Sequence, residues 1–200
     1  MGLDEAKNAI VKVGGGRGFV VQGERDRLVI TAGHCLPDFP TCHSSSHTEE
    51  RTYKALLGSL GEKPAVWAEC LFADPIGDVA VLGPPDDQQP SDEFEAYETL
   101  VDAAAKLQIA DAPQNGSAWL LSLDGRWCRC TVRHSGSMLW ISNAADGIVG
   151  GMSGSPIVAD DGSAIGIVCT SGGGIGVHTE GGPNPRLTHN LPGWLLRQLG

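Results

Sequence analysis

Short apolar runs with a period of two recur through the N-terminal half of the chain, at Ala9–Val13, Gly18–Val21, Arg27–Thr31, Lys54–Leu60, Val66–Phe72 and Asp78–Leu82. Alternation sends successive side chains to opposite faces, so each run reads as a strand with one face toward a core. Glycine, proline or charged clusters separate them, the punctuation of a sandwich or barrel. Strand patterns resume at Ser117–Leu123, Trp127–Arg133, Met138–Ser142, Pro156–Val158, Ala164–Thr170 and Arg186–Thr188. Between the two sets, Gly83–Glu93 is polar, acidic and proline-bearing and reads as a linker. Phe94–Ile109 has the spacing of a turn or two of amphipathic helix. The tail places Trp194, Leu195 and Leu199 on one face of a short helix that packs back onto the body. The pattern predicts an all-β chain of two similar barrels, residues 1–85 and 107–200, joined by a linker at 86–106.

Composition narrows the function. With 41% hydrophobic and 19% charged residues in 200, the chain buries a true core and is not disordered. Its 28 glycines are about twice the usual share of ~7%, in keeping with tight turns between short strands. The net charge of −10 argues against a nucleic-acid partner, which wants clustered Lys and Arg. No apolar run nears the roughly 20 residues of a membrane helix, so no membrane partner is expected. Asp4 and Glu5 interrupt the N-terminus, which is therefore not a secretory signal, and Ala6 breaks a myristoylation pattern. The six cysteines (Cys35, Cys42, Cys70, Cys128, Cys130, Cys169) are even in number, yet without a signal peptide they read as free thiols of a cytoplasmic protein. Cys128 and Cys130, two apart in a strand, point to the same face and are poorly placed to bridge each other.

Three segments carry chemistry, in a fixed order. Thr31-Ala32-Gly33-His34-Cys35 sets a histidine after an apolar strand, and Gly77-Asp78-Val79-Ala80-Val81-Leu82 sets an aspartate at the mouth of another. Gly150-Gly151-Met152-Ser153-Gly154-Ser155-Pro156 sets a serine among glycines. Singly, each has an ordinary reading as a packed imidazole, a turn residue or a loop. Jointly they supply what acyl transfer by serine needs: a nucleophile, a base, a carboxylate to orient the base, and backbone N–H groups aimed at an oxyanion. Gly150, Gly151 and Gly154 permit the sharp turn that aims those groups, and Pro156 biases Ser155 toward extended backbone.

The chain resembles the chymotrypsin/trypsin-like serine proteases, and is closer to their intracellular, non-zymogen bacterial or HtrA-like members than to the secreted ones. TAGHC resembles the histidine motif, GDVAVL the aspartate motif and GMSGSP the serine motif, over roughly Ala9 to Leu199. The resemblance implies two six-stranded antiparallel β-barrels with a short C-terminal helix and an active site between the barrels. It implies Ser153 as nucleophile, His34 as base and Asp78 as its orienting partner, with the N–H groups of Gly151 and Ser153 as oxyanion donors. Ser155 is the rival hydroxyl, at the variable position before the proline. It also implies a primary pocket based on Gly147 and Ile148 and walled by Cys169, Thr170 and Ser171, which would pair with an extended peptide. No carboxylate stands at the pocket base, which disfavours cleavage after Arg or Lys, although Asp146 is adjacent.

Two departures stand out. Met152 occupies the place of the aspartate that secreted zymogens use to bind their new N-terminus, so the catalytic loop must be ordered by other contacts or by a partner. Cys35 has no partner cysteine near Gly18–Val21. The implied activity is that of a serine endopeptidase acting on protein or peptide substrates without cofactor or metal. The main alternative is a catalytically silent or partner-activated peptide-binding module on the same fold. An unrestrained intracellular protease is hazardous, which points to tight specificity or a regulatory partner. The stop just after the last helix points to a domain fused within a longer polypeptide. An α/β-hydrolase reading fails because Ser155 replaces the final glycine of its elbow and the order of the three residues is wrong. Cys35, Cys42, His43 and His47 lack zinc-ligand spacing, and His43–His47 reads as a surface loop. His178 lies in a glycine-rich loop and reads as exposed, with contact to substrate as the alternative.

Overall fold

The computed structural model describes residues 2–41, 51–86, 89–170 and 179–199. Six strands, β1 (Ile10–Val13), β2 (Gly16–Gln22), β3 (Arg27–Thr31), β4 (Thr52–Gly58), β5 (Val66–Asp74) and β6 (Val79–Gly83), close into an antiparallel barrel in the order β1-β2-β3-β6-β5-β4. Phe19, Ile30, Leu57 and Leu82 fill it. β6 is buried at every position rather than alternately. A helix, α2 (Ser91–Ala103), lies against β3 and β5 and covers the outside of that part of the barrel.

α2 starts three residues before the predicted Phe94, where Asp92 and Glu93 put negative charge on the electropositive first turn. It ends well short of Ile109. Arg27 Nη1 takes the carbonyls of Val101 at 2.7 Å and Ala104 at 3.0 Å, and the chain then leaves the helix so that Leu107 bridges Val21 and Ile109 bridges Ala164. Tyr97 is buried beneath it, its hydroxyl donating to the carbonyl of Arg27 at 2.9 Å.

The second unit is a six-stranded sheet ordered β11-β10-β7-β8-β9-β12, made of β7 (Asn115–Leu121), β8 (Trp127–Ser135), β9 (Met138–Ala144), β10 (Pro156–Val158), β11 (Ala164–Ile167) and β12 (Thr179–Pro185). It curls into a half-barrel whose end strands approach at the bridge Gly166–Arg186. The architecture is all-β, as the sequence pattern predicts, and chymotrypsin-like, as the resemblance implies.

Two sequence expectations need correction. The last strand is Thr179–Pro185, not Arg186–Thr188, and Leu187–Asn190 is a helical turn, α3. β12 reads Thr-Glu-Gly-Gly-Pro-Asn-Pro, with no apolar alternation, and prolines are tolerated because the strand lies at the sheet's edge. The C-terminal helix, α4 (Gly193–Leu199), buries Leu195 but leaves Trp194 46% exposed. Neighbouring residues stand about 100° apart on a helix, so one narrow buried stripe does not cover both. A short N-terminal helix, α1 (Leu3–Lys7), was not apparent in the pattern.

Leu121, Val158, Ala164, Ile167, Leu187 and Leu195 join the hydrophobic cluster of the first barrel, so the core runs through the seam between the two units. That continuity fixes the relative placement of the three motif segments.

Candidate active site

His34 sits on a 3₁₀ turn, Gly33–Cys35, that follows β3 directly. Asp78 begins the turn into β6 and adopts a left-handed backbone, φ +53°, a conformation Asp tolerates better than most residues. That geometry aims both carboxylate oxygens at one residue. Oδ1 accepts the backbone N–H of His34 at 2.9 Å, and Oδ2 meets its ring Nδ1 at 2.7 Å. Two contacts fix both the position and the tilt of the imidazole. The side chains are 47% and 29% exposed, so the pair lines an open surface rather than a sealed core. The Asp78 carbonyl is held from behind by Cys169, whose Sγ–H donates to it at 3.2 Å.

Ser153 lies on a loop of two consecutive tight turns, with Met152 N–H donating to Val149 O at 3.2 Å and Ser155 N–H to Met152 O at 3.0 Å. Gly151 (φ +91°) and Gly154 (φ +82°) take the left-handed backbone the turns require. At Gly154 the packing demands glycine as well, because a Cβ would overlap the Arg17 carbonyl and stand 2.6 Å from Thr31 Oγ1. The loop is tied to both units. Gly154 N–H donates to Val168 O at 2.7 Å, and Arg17 N–H donates to Ser153 O at 2.7 Å. Cys35 Sγ also approaches Ser153 O, at 3.6 Å, which brings the serine's main chain to the segment carrying His34.

The fold thus brings His34 and Asp78 into direct contact, and ties the Ser153 carbonyl to Arg17 of β2 and to the Cys35 thiol next to His34. No hydrogen bond among the described residues joins the Ser153 hydroxyl to His34. Nor does any described group accept from the N–H of Gly151 or Ser153, while their neighbours Met152, Gly154 and Ser155 are all bonded. Gly151 and Ser153, on either side of Met152, thus each keep an N–H with no described acceptor. A cleft of about 500 Å³, bordered by Lys12, Arg17, Leu60, Leu123 and Gly151, opens beside them. Ser155 Oγ, by contrast, is fully buried, with no hydrogen-bond partner among the described residues.

The sequence matches the trypsin-like peptidase domain model over residues 16–167, which includes all three segments. The chain belongs to the trypsin-like peptidase domain family. It is therefore of a protease family. No curated protein matches it in sequence. Among solved structures, the active form of the Rv3671c protease of M. tuberculosis is similar at TM-score 0.55 and 17% identity, covering 99% of this chain and 83% of that one. A chimeric murine norovirus NS6 protease is similar at TM-score 0.50 and 18% identity, covering 94% and 96%. A Sesbania mosaic virus structure that concerns binding of the disordered VPg protein is similar at 0.56 and 14%, covering 92% and 88%. At these identities the likeness is one of fold.

In this trypsin-like peptidase domain four more of the candidate residues are described. Gly147 is exposed and Ile148 is buried. Cys169 and Thr170, both half-buried, donate their N–H groups to Asn184 Oδ1 at 2.9 Å and 3.3 Å. Ser171, His178, Cys42, His43 and His47 lie outside the described residues. Asp146 is engaged elsewhere: Cys128 Sγ donates to it at 3.0 Å and Arg126 Nη2 lies 3.3 Å away.

Two residues escaped the sequence reading. Arg17 is 4% exposed, with its guanidinium donating to Leu121 O at 2.7 Å and Ser122 O at 3.0 Å, so one residue strings the Ser153 loop to β7 across the seam. A charge near the start of β2, between two glycines, was the available signal. Asn184 is fully buried and clamps the Cys169–Thr170 segment from β12. Its setting between two prolines masked it as loop.

Proposed function

We propose that this protein is a serine endopeptidase that cleaves peptide bonds through an acyl-enzyme. The observation that carries this reading is the two-point grip of Asp78 on His34, with the thiol of Cys35, next to His34, reaching the carbonyl of Ser153. Ser153 Oγ attacks the scissile carbonyl carbon, and its proton passes to His34 Nε2. Asp78 holds Nδ1–H in place and stabilises the imidazolium that forms. The N–H groups of Gly151 and Ser153 hold the oxyanion, one such donor being worth roughly 3 kcal/mol of transition-state stabilisation. His34 then returns the proton to the leaving amine. Water, deprotonated by the same imidazole, attacks the acyl carbon and releases Ser153.

The exposed His34 ring reaches the hydroxyl when bound substrate excludes water from between them, a tightening common on substrate binding. The same open geometry favours one second reading, a module activated only by a partner. Free thiols at Cys35, Cys70, Cys128, Cys130 and Cys169 support a reducing, cytoplasmic setting. Residues 1–85 and 107–200 serve as two half-sites, with 86–106 as their connection.

Incubation of the protein with a peptide library, read by mass spectrometry, tests the proposal. Cleavage by the wild type, lost in Ser153→Ala, supports it. Cleavage surviving in Ser153→Ala removes the nucleophile assignment, and silence of the folded wild type favours the partner-activated module.

A further inference from the structure

The turn between β7 and β8 stands beside the Ser153 loop and is fixed internally. Ser122 N–H donates to Arg126 O at 2.9 Å, Gly125 N–H to Ser122 O at 3.2 Å, and Arg126 Nε to Asp124 Oδ2 at 2.7 Å. α1 grips it from outside at two points. Lys7 Nζ donates to Gly125 O at 2.8 Å, and the Trp127 indole N–H donates to Leu3 O at 2.8 Å. Gly125 leaves the room this needs, since a Cβ there would stand 2.8 Å from Lys7 Nζ.

The other residues of this turn, Ser122, Asp124, Gly125 and Arg126, are polar or glycine, yet Leu123 holds its tip with 53% of its surface exposed. Its two methyl carbons lie 3.5 and 3.9 Å from the place a Cβ on Gly151 would take. Among the described residues, no other beyond the chain neighbours comes within 4 Å of that point.

Gly151 carries one of the two open N–H groups of the serine loop. Residues 149–152 form a turn closed by Met152 N–H on Val149 O, with Gly151 left-handed in its third position. Such a turn has a second form that keeps the closing bond and reverses the peptide between the two middle residues. There Gly151 leaves the left-handed region, and its N–H points the opposite way. Two middle glycines make both forms accessible. Met152 brings no charge to lock the loop, and nothing described lies within 4 Å of a Cβ placed on Gly150. The forms differ at Gly151, where Leu123 is the described side chain that stands close.

We infer that Leu123 is a positioning residue that holds Gly151 in its left-handed form, and that α1 acts through it by gripping the β7–β8 turn. This rests on the serine endopeptidase reading and adds to it what orders an oxyanion donor. The helix works through an apolar contact rather than a buried ion pair.

The test compares whole-chain wild type, Leu123→Ala, Leu123→Met and Lys7→Met on one peptide p-nitroanilide, with a peptide aldehyde of the same sequence as inhibitor. The aldehyde forms a tetrahedral adduct on the serine, so its Ki reads the oxyanion site. Leu123→Ala should lower kcat about tenfold with KM nearly unchanged, short of the about 10²–10³-fold lost with a whole donor. The aldehyde Ki should rise by the same factor. Leu123→Met should recover most of both, and Lys7→Met should show the same paired loss by a smaller factor. Circular dichroism checks folding, and Lys7→Met carries the test if Leu123→Ala does not fold. Unchanged kcat and Ki in folded variants, or a change in KM alone, overturns the positioning role. Fluorophosphonate labelling of the wild type separates the two levels. A wild type that labels and turns over while the variants match it sinks the positioning role alone. One that neither labels nor turns over sinks the endopeptidase reading and this role with it.

Discussion

Arg17 holds the carbonyl of Ser153 through its own backbone N–H, at 2.7 Å, while its side chain anchors two carbonyls at the end of β7. One residue of the first barrel therefore sets the height of the serine turn and the closeness of the second unit. The guanidinium is buried, and burial pulls it below its usual pKa, yet it keeps its fork of donors on Leu121 O and Ser122 O. Arg17→Ala leaves two buried carbonyls without partners at about 1–3 kcal/mol each. Urea unfolding should show a marked loss of stability, and turnover should fall further than stability explains. Arg17→Lys keeps the charge but not the fork, so it should recover only part of both. Wild-type stability in Arg17→Ala would remove the strap from the account.

Asp78→Asn should lower kcat by about 10⁴-fold with the fold intact, because an amide no longer selects the productive imidazole tautomer. The amide also replaces one of two acceptors that grip His34. Steady-state kinetics beside a circular dichroism spectrum check this. A fall of less than tenfold would mean that something else orients His34.

Asp111 gives a pH signature unrelated to the chemistry. Hydrogen bonds from Arg186, then Thr188, hold its carboxyl at about 2, below the usual 3.8. A depressed carboxylate contributes stability that is complete above the unfolded value and is lost as pH falls through the folded one. The contribution should vanish between pH 4 and pH 2, and it is modest because the Asp111 side chain is 61% exposed. Thermal melts of Asp111→Asn should lie below wild type at pH 6 and converge with it near pH 2. Parallel curves would contradict the assignment.

How much of this was legible in the chain follows from where the signals are local. β3, with the apolar run Leu28–Ile30 before His34, and β6, apolar after Asp78, announce themselves because each is a buried strand with a chemical group at its end. The turn around Ser153 is legible because glycines mark left-handed backbone. Arg17, Asn184 and the Leu123–Gly151 contact are not, since their meaning lies in partners about 15 to 104 positions away or more, among elements that only folding brings together. β12 hid for another reason: an edge strand rich in proline and glycine buries few side chains and leaves no periodicity to read.

The thiols should be inert in the folded state. Burial pushes Cys70 up to about 11 and Cys130 up to about 12, and raises Cys35 as well. Thiolate is the reacting form, so iodoacetamide at pH 8 should leave all three unmodified in native protein and modify them in urea. Peptide mapping reads this site by site. Rapid native modification of Cys130 would show that the core beneath β8 opens readily.

The most direct measurement is the location of a fluorophosphonate adduct by peptide mass spectrometry. A single adduct on Ser153, absent after Ser153→Ala or His34→Ala, is the predicted result. An adduct on Ser155, or labelling that persists without His34, would contradict the assignment of the nucleophile and its base.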